Sequence, residues 1–248
     1  MGNTGAVTGA AGLLATWEAG LAEAPDGRAL LLHRTARPDT DAGALSALPV
    51  GEREADLFAL RRALFGERMQ VRLACGACGE DMEFELDAGE FASSLSPDGP
   101  GESVVRLAES GWEVEFRLPG AADLTAAART ADPRAALLAR CLVSAVRDGT
   151  PVAADALPAP VQRRIAEAVE AADPGADVTL GVTCPECGGT TRAELDIASY
   201  LWTELDAWAR DVLLDVHLLA TAYGWSEPEI LALSPLRRRY YLELCADD

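Results

Sequence analysis

Apolar positions along the chain change their period several times. Leu13, Leu14, Trp17 and Leu21 recur at helical spacing, and "RALLLHR", Arg28 to Arg34, adds a second short segment. After a loop at Pro49-Val50-Gly51, Leu57, Leu60 and Leu64 share one face of a further helix. The period then drops to two. Val71 and Leu73 alternate with polar residues, and so do Val104–Leu107 and Trp112–Leu118, with Ser110-Gly111 as the turn of a β-hairpin. Helical spacing returns at Leu137, Leu138, Leu142 and Ala145. Asp132 is the N-cap of that helix, Pro133 its first position and Gly149 its stop; Cys141 falls inside it as a small core residue. Val161, Ile165 and Val169 mark another helix after Pro160. From 198 to Gly224 a wide stripe runs through Leu201, Trp202, Leu205, Trp208, Val212, Leu213, Val216, Leu219 and Tyr223, which predicts a long, well-buried helix. Ser226 to Glu229 form a capping box, and Ser234-Pro235 opens a last helix. The fold class is α+β.

One stretch is written twice. "VRLACGACGEDMEFELD" (71–87) and "LGVTCPECGGTTRAELD" (180–196) align without a gap at six identical positions, including both cysteines, the following glycine and Glu-Leu-Asp. Each Cys-x-x-Cys-Gly turn offers two thiolates on one side of a tight loop, half of a tetrahedral site. Alternating arms on both sides of each turn read as β-hairpins. The two knuckles together predict one structural Zn²⁺ on Cys75, Cys78, Cys184 and Cys187, closing a Cys₄ zinc ribbon. Two disulfides, a redox pair and an iron–sulfur centre are the alternatives. The Glu-Leu-Asp segments take a structural role, Leu inward and the acids outward or holding the turn. Cys245 is a free thiol in this reading.

These elements divide the chain into a tail (1–12), an N-terminal helical segment (13–68), two ribbon halves (69–91 and 178–197), an α+β insertion between them (92–177) and a C-terminal helical segment (198–248). "SSLSPDGPGES", 93–103, is a Pro/Gly/Ser loop within the insertion.

Composition narrows the function. Forty acids against 21 bases give a net charge of −19, which argues against nucleic acid and anionic lipid as partners. Every base is Arg, so Schiff-base and phosphate-loop lysine chemistry is excluded. The N-terminal residues lack the pattern of a signal peptide, and no run is long enough for a membrane span, which predicts a cytoplasmic location. No nucleophile elbow, metalloprotease motif or dinucleotide fingerprint appears. His217, on the apolar helix, is expected to be satisfied or partly buried; no small-molecule substrate is implied. The chemistry is that of a scaffold. An enzyme using the 92–177 insertion, a nucleic-acid-binding ribbon and a general zinc-ribbon adaptor are the competing readings. Trp225, Arg237, Arg238, Arg239, Tyr240 and Tyr241 form the candidate partner surface, since aromatics and Arg dominate interface hot spots.

In this order the motifs resemble a known family. "LPVGEREADLFALRRALFG", the first knuckle, "VEFRLPGAADL", the second knuckle with Cys-Pro-x-Cys-Gly and "DVHLLATAYGWSEPEILALSPLRRRYYLEL" are similar to baseplate proteins of T-even-like contractile phage tails, relatives of which are encoded with bacterial contractile injection systems. The resemblance spans roughly 13–245. It implies a role in building the baseplate hub, as a particle component or an assembly (chaperone-like) factor, with tail proteins of the same gene cluster as partners. It also matches the four cysteines to the family's metal turns.

Overall fold

The computed structural model describes residues 9–95 and 103–246. In chain order the elements are α1 (Ala10–Leu21), α2 (Pro25–Ala36), α3 (Ala42–Ala47), α4 (Val50–Phe65), β1 (Arg68–Ala74), β2 (Asp81–Asp87), α5 (Ala88–Ser94), β3 (Val104–Glu109), β4 (Trp112–Arg117), α6 (Ala121–Ala128), α7 (Pro133–Cys141), β5 (Leu142–Arg147), β6 (Thr150–Pro151), α8 (Ala159–Ala172), β7 (Thr179–Thr183), β8 (Thr190–Glu194), α9 (Ile197–Tyr223), α10 (Glu227–Leu231) and α11 (Pro235–Ala246). This is a mixture of helices and small sheets, an α+β chain. The tail expected at 1–12 lies outside the described residues up to residue 8, and α1 already begins at Ala10. Most of the Pro/Gly/Ser loop, residues 96–102, also lies outside them.

The chain divides into two compact units, residues 1–38 with 197–248, and residues 39–196. In the first, α1, α2, α10 and α11 pack on α9. Leu13, Leu14, Trp17, Leu32, Leu201, Trp202, Leu205, Val212, Leu219 and Ile230 are buried there. Trp17 Nε1 donates to Asp206 Oδ1 at 2.8 Å. Gly20 is required by its neighbour, because a Cβ there would sit 2.3 Å from the Trp202 ring. The Arg28 guanidinium lies 4.7 Å from the same ring's centre and donates to the Gly20 carbonyl. In its second half α9 buries only part of the wide stripe, Val212 and Leu219. Leu213, Leu214, Leu218 and Tyr223 are exposed, and so is His217, which corrects the expectation of a helix buried along its length and of a partly buried His217. The apolar stripe is wider than the set of helices packed against it.

The second unit holds two separate hairpins, β1–β2 and β7–β8, and a four-stranded antiparallel sheet in the order β3-β4-β5-β6. The β3–β4 hairpin turns at Ser110-Gly111, both left-handed at φ 53° and 78°, as a two-residue turn between twisted strands requires. The helix expected to run from Pro133 to Gly149 ends instead at Cys141, and Leu142–Arg147 forms β5 against β4. The reason is local. Asp148 (φ 47°) and Gly149 (φ 80°) form a second turn of the same kind, and Val143 and Val146 suit a strand. Asp132 caps α7 through the Ala135 N–H, and Cys141 is buried. Val114, Phe116, Cys141, Ala145, Leu157 and Ile165 form the core between the sheet, α7 and α8.

Two polar devices fix this unit. Asp123 is buried, accepts the Gly120 N–H at 3.0 Å and pairs with Arg117 (2.7 Å) and Arg140 (3.1 Å), tying α6 to β4 and α7. Burial opposes its charge, but the Arg117 and Gly120 hydrogen bonds hold its carboxyl below the usual range. The N-cap of α4 is Pro49, which offers no side-chain acceptor. Asp173 Oδ2 accepts the Gly51 N–H at 3.1 Å in its place, from 122 residues away. Helix α4 therefore starts at Val50, inside the stretch expected to be loop.

Candidate metal centre

Each knuckle is built the same way. The Cys75 N–H donates to the Glu80 carbonyl and the Gly79 N–H to the Cys75 carbonyl, at 2.7 and 2.9 Å. The Cys184 N–H donates to Gly189 and the Gly188 N–H to Cys184, at 2.9 and 3.0 Å. Gly79 (φ 79°) and Gly188 (φ 70°) both adopt the left-handed region, which explains the glycine after each second cysteine. The arms alternate as their sequences predict: Met69 and Met82 are buried, and Leu73 and Val182 pack beside Cys75, Met82 and Cys184. On the outer face Arg72 pairs with Glu83, and Gln70 donates to Glu85 at 2.6 Å.

The four sulfurs of Cys75, Cys78, Cys184 and Cys187 all lie within 4.8 Å of one another. The contacts between knuckles are close, Cys75 Sγ to Cys187 Sγ at 3.6 Å and Cys78 Sγ to Cys184 Sγ at 3.7 Å. A tetrahedron with metal–sulfur bonds of about 2.3 Å has sulfur–sulfur edges of about 3.8 Å, so the set has the size of a metal cage. Cys75 and Cys184 are buried and Cys78 and Cys187 exposed, one of each kind from each knuckle. Backbone N–H groups of Cys78 and Ala77 point at the Cys75 sulfur and pull its pKa down to about 6. The Glu80 N–H lowers the Cys78 thiol, but the neighbouring Cys187 and Cys75 sulfurs and desolvation outweigh it and push that thiol up to about 12. One thiolate forms readily here and a second meets its charge; a divalent cation relieves that conflict.

One contact across the knuckles was not legible in the motif: the Gly76 N–H donates to Thr191 Oγ1 at 3.0 Å. Nothing in the sequence distinguishes Thr191 from Thr190. Of the repeated Glu-Leu-Asp residues, Leu195 is buried and Leu86 half-buried, Glu85 and Glu194 are exposed, and Asp87 caps α5 through the Gly89 and Glu90 N–H groups.

The predicted partner residues lie in the other unit. Trp225 and Tyr241 are half-buried and cluster with Tyr223, with ring centres 4.6 to 5.7 Å apart. Tyr240, Arg237 and Arg239 are exposed. Arg238 is 6% exposed and pairs with Asp215 at 2.9 Å, so its guanidinium belongs to the α9–α11 contact and not to the surface. Elsewhere, a groove of about 690 Å³ beside α7 and α8 is floored by Phe116, Leu137, Leu138, Ile165 and Val169, and its lining contains no His, Cys or Ser. Among the described residues, no helix is long and apolar enough to cross a membrane.

No curated protein and no solved structure matches the chain. A family model described as T4 bacteriophage base plate protein matches residues 31–202, a span that includes both knuckles and the sheet between them and stops before α10 and α11. The chain belongs to the T4 bacteriophage base plate protein family.

Proposed function

We propose that this protein is a structural or assembly factor for the baseplate of a contractile tail or tail-like injection system, held together by one Zn²⁺ on Cys75, Cys78, Cys184 and Cys187. The observation that carries the metal is the mutual approach of four thiols from two hairpins more than a hundred residues apart. Four thiolates of this kind form a closed structural site, with no position left for substrate. The β1–β2 and β7–β8 hairpins then form a ribbon, and residues 92–177 are an insertion carried between its halves. The metal fixes both ends of that insertion at once. The role is architectural and not catalytic.

Membership of the baseplate family supports partners among the tail proteins of the same system. Assembly takes place in the cytoplasm in this reading, and the chain either stays in the particle or leaves it as a chaperone-like factor. The C-terminal segment from Trp225 to Tyr241, with Arg237, Arg239 and Tyr240 outermost, is the docking surface. Co-purification with each tail protein of the same gene cluster tests this. Binding that is lost on truncation after Gly224, with metal content unchanged, supports the reading; a truncated chain that retains every partner removes the surface from it.

A further inference from the structure

Asp173 is a buried acid without a counter-ion. It is 9% exposed, and burial pushes its carboxyl up; the Gly51 N–H opposes that shift and the Glu52 charge adds to it. The described residues include all 21 Arg and both His, and none of them pairs with it. Capping α4 occupies only Oδ2. Oδ1 has no partner among the described residues, yet no side-chain oxygen or nitrogen sealed from solvent lacks one, so Oδ1 is open to a cavity. Gly51 makes room for it, because a Cβ there would sit 1.9 Å from Oδ1. A carboxylate this buried, with one hydrogen bond and no cation, is costly unless something else meets it.

The cavity measures about 410 Å³, and Asp173 lines it together with Glu52 and Glu54. Its described lining holds no Arg and no His. Arg53 pairs with Glu54, and the N-terminus of α4 adds about half a positive charge, which leaves the lining net negative. Most of the other walls are apolar, Pro49, Ala55, Phe58, Leu95 and Leu118 among them. Such walls select the kind of cation. Ca²⁺ takes about six to eight oxygens, which apolar walls do not supply. An ammonium holds its water tightly. A guanidinium is more weakly hydrated, forks onto a carboxylate and buries the apolar stem behind it.

We propose that this cavity receives an arginine side chain of a partner protein, with the guanidinium on Asp173 Oδ1 beside Glu52 and the stem against Phe58 and Leu118. The net charge of −19 draws a basic partner to the chain. The site lies within residues 39–196 and rests neither on the metal nor on the C-terminal docking surface.

Titration of the full chain with acetyl-arginine amide, whose only charge is the guanidinium, tests this by NMR. Saturable shifts are expected at the Gly51, Glu52, Ala55 and Gly175 amides, with a Kd of about 1 mM for so small a ligand. Acetyl-lysine amide should bind about three-fold more weakly, and acetyl-citrulline amide, which keeps the shape without the charge, should not bind. Asp173→Asn retains an acceptor for the Gly51 N–H, and so keeps the cap, but turns an amide NH₂ towards the cavity. It should weaken the arginine probe by about ten-fold without lowering the melting temperature. Glu52→Gln, which does not touch that cap, should weaken the probe about three-fold. Asp177→Asn, at an exposed acid in the groove beside α7 and α8, should leave binding unchanged. A wild-type chain without saturable shifts, shifts in that groove in place of the cavity, equal binding of the citrulline analogue, or binding that survives both Asp173→Asn and Glu52→Gln overturns the proposal. Ca²⁺ that occupies the cavity and displaces the probe overturns it as well.

Discussion

The unit formed by residues 39–196 has two small cores that hold together by different means. Around β4, Val114, Phe116, Ala145, Leu157 and Ile165 bury ordinary hydrophobic surface, and the Asp123 network braces the rim. Between the hairpins the buried cluster is Cys75, Met82 and Cys184, with Leu73 and Val182 half-buried beside it. Two of those three buried residues are cysteines. Isolated two-stranded hairpins are marginal in water, and so few apolar side chains do not compensate. The first core rests on its own side chains; in the second, four cysteines stand close enough to hold a metal ion, the Zn²⁺ proposed above.

The largest expected effect separates the two directly. Removing the metal with a strong chelator should release amide protection across β1–β2 and β7–β8 while β3–β5 stays protected, as read by hydrogen exchange. Uniform loss of protection would mean that the two cores are one cooperative unit. Cys184→Ser should act in the same way and reduce metal content from one ion per chain to near none.

The converse variant, Phe116→Ala, should cost about 3–4 kcal/mol in denaturant melts of the sheet while metal content stays at one per chain. Asp123→Asn should cost about 1–2 kcal/mol, because two partly exposed guanidiniums lose their buried counter-charge while water screens them. Its pH dependence has a definite sign. The Asp123 carboxyl is held below its ordinary value, so its contribution is present above the unfolded pKa of about 3.9 and is lost as pH falls through the lower folded value. The variant should therefore lack that part of the wild-type acid-unfolding limb. The smallest effect belongs to a single turn. Gly188→Ala places a Cβ at φ 70° and should cost about 1 kcal/mol in the metal-bound protein. Gly181→Ala, on an extended strand with open space around it, should cost less.

The same contrast explains what the sequence made legible. The knuckles could be read because each is local: two cysteines, a left-handed glycine and alternating arms within 17 residues, repeated. Family membership followed from the order of such local motifs. The β5 strand was misread because Leu137, Leu138, Cys141, Leu142 and Ala145 fit a helical period, although Asp148-Gly149 carried the hairpin turn that decides the matter. Ser110-Gly111, lying between two plainly alternating runs, was not misread. Contacts across long separations left no trace: Asp173 capping α4 at Gly51 and Thr191 holding Gly76 each join residues more than a hundred positions apart. Periodicity also does not reveal what covers a face, which is why Leu213 and Tyr223 fit a buried stripe by spacing and yet stand exposed.

X-ray absorption at the zinc edge of the purified chain, combined with elemental analysis, tests the central claim most directly. The account predicts one zinc per chain with four sulfur neighbours at about 2.3 Å and no nitrogen or oxygen in the shell. A chain that folds with no metal, a mixed shell with fewer than four sulfurs, or an iron–sulfur spectrum would contradict it.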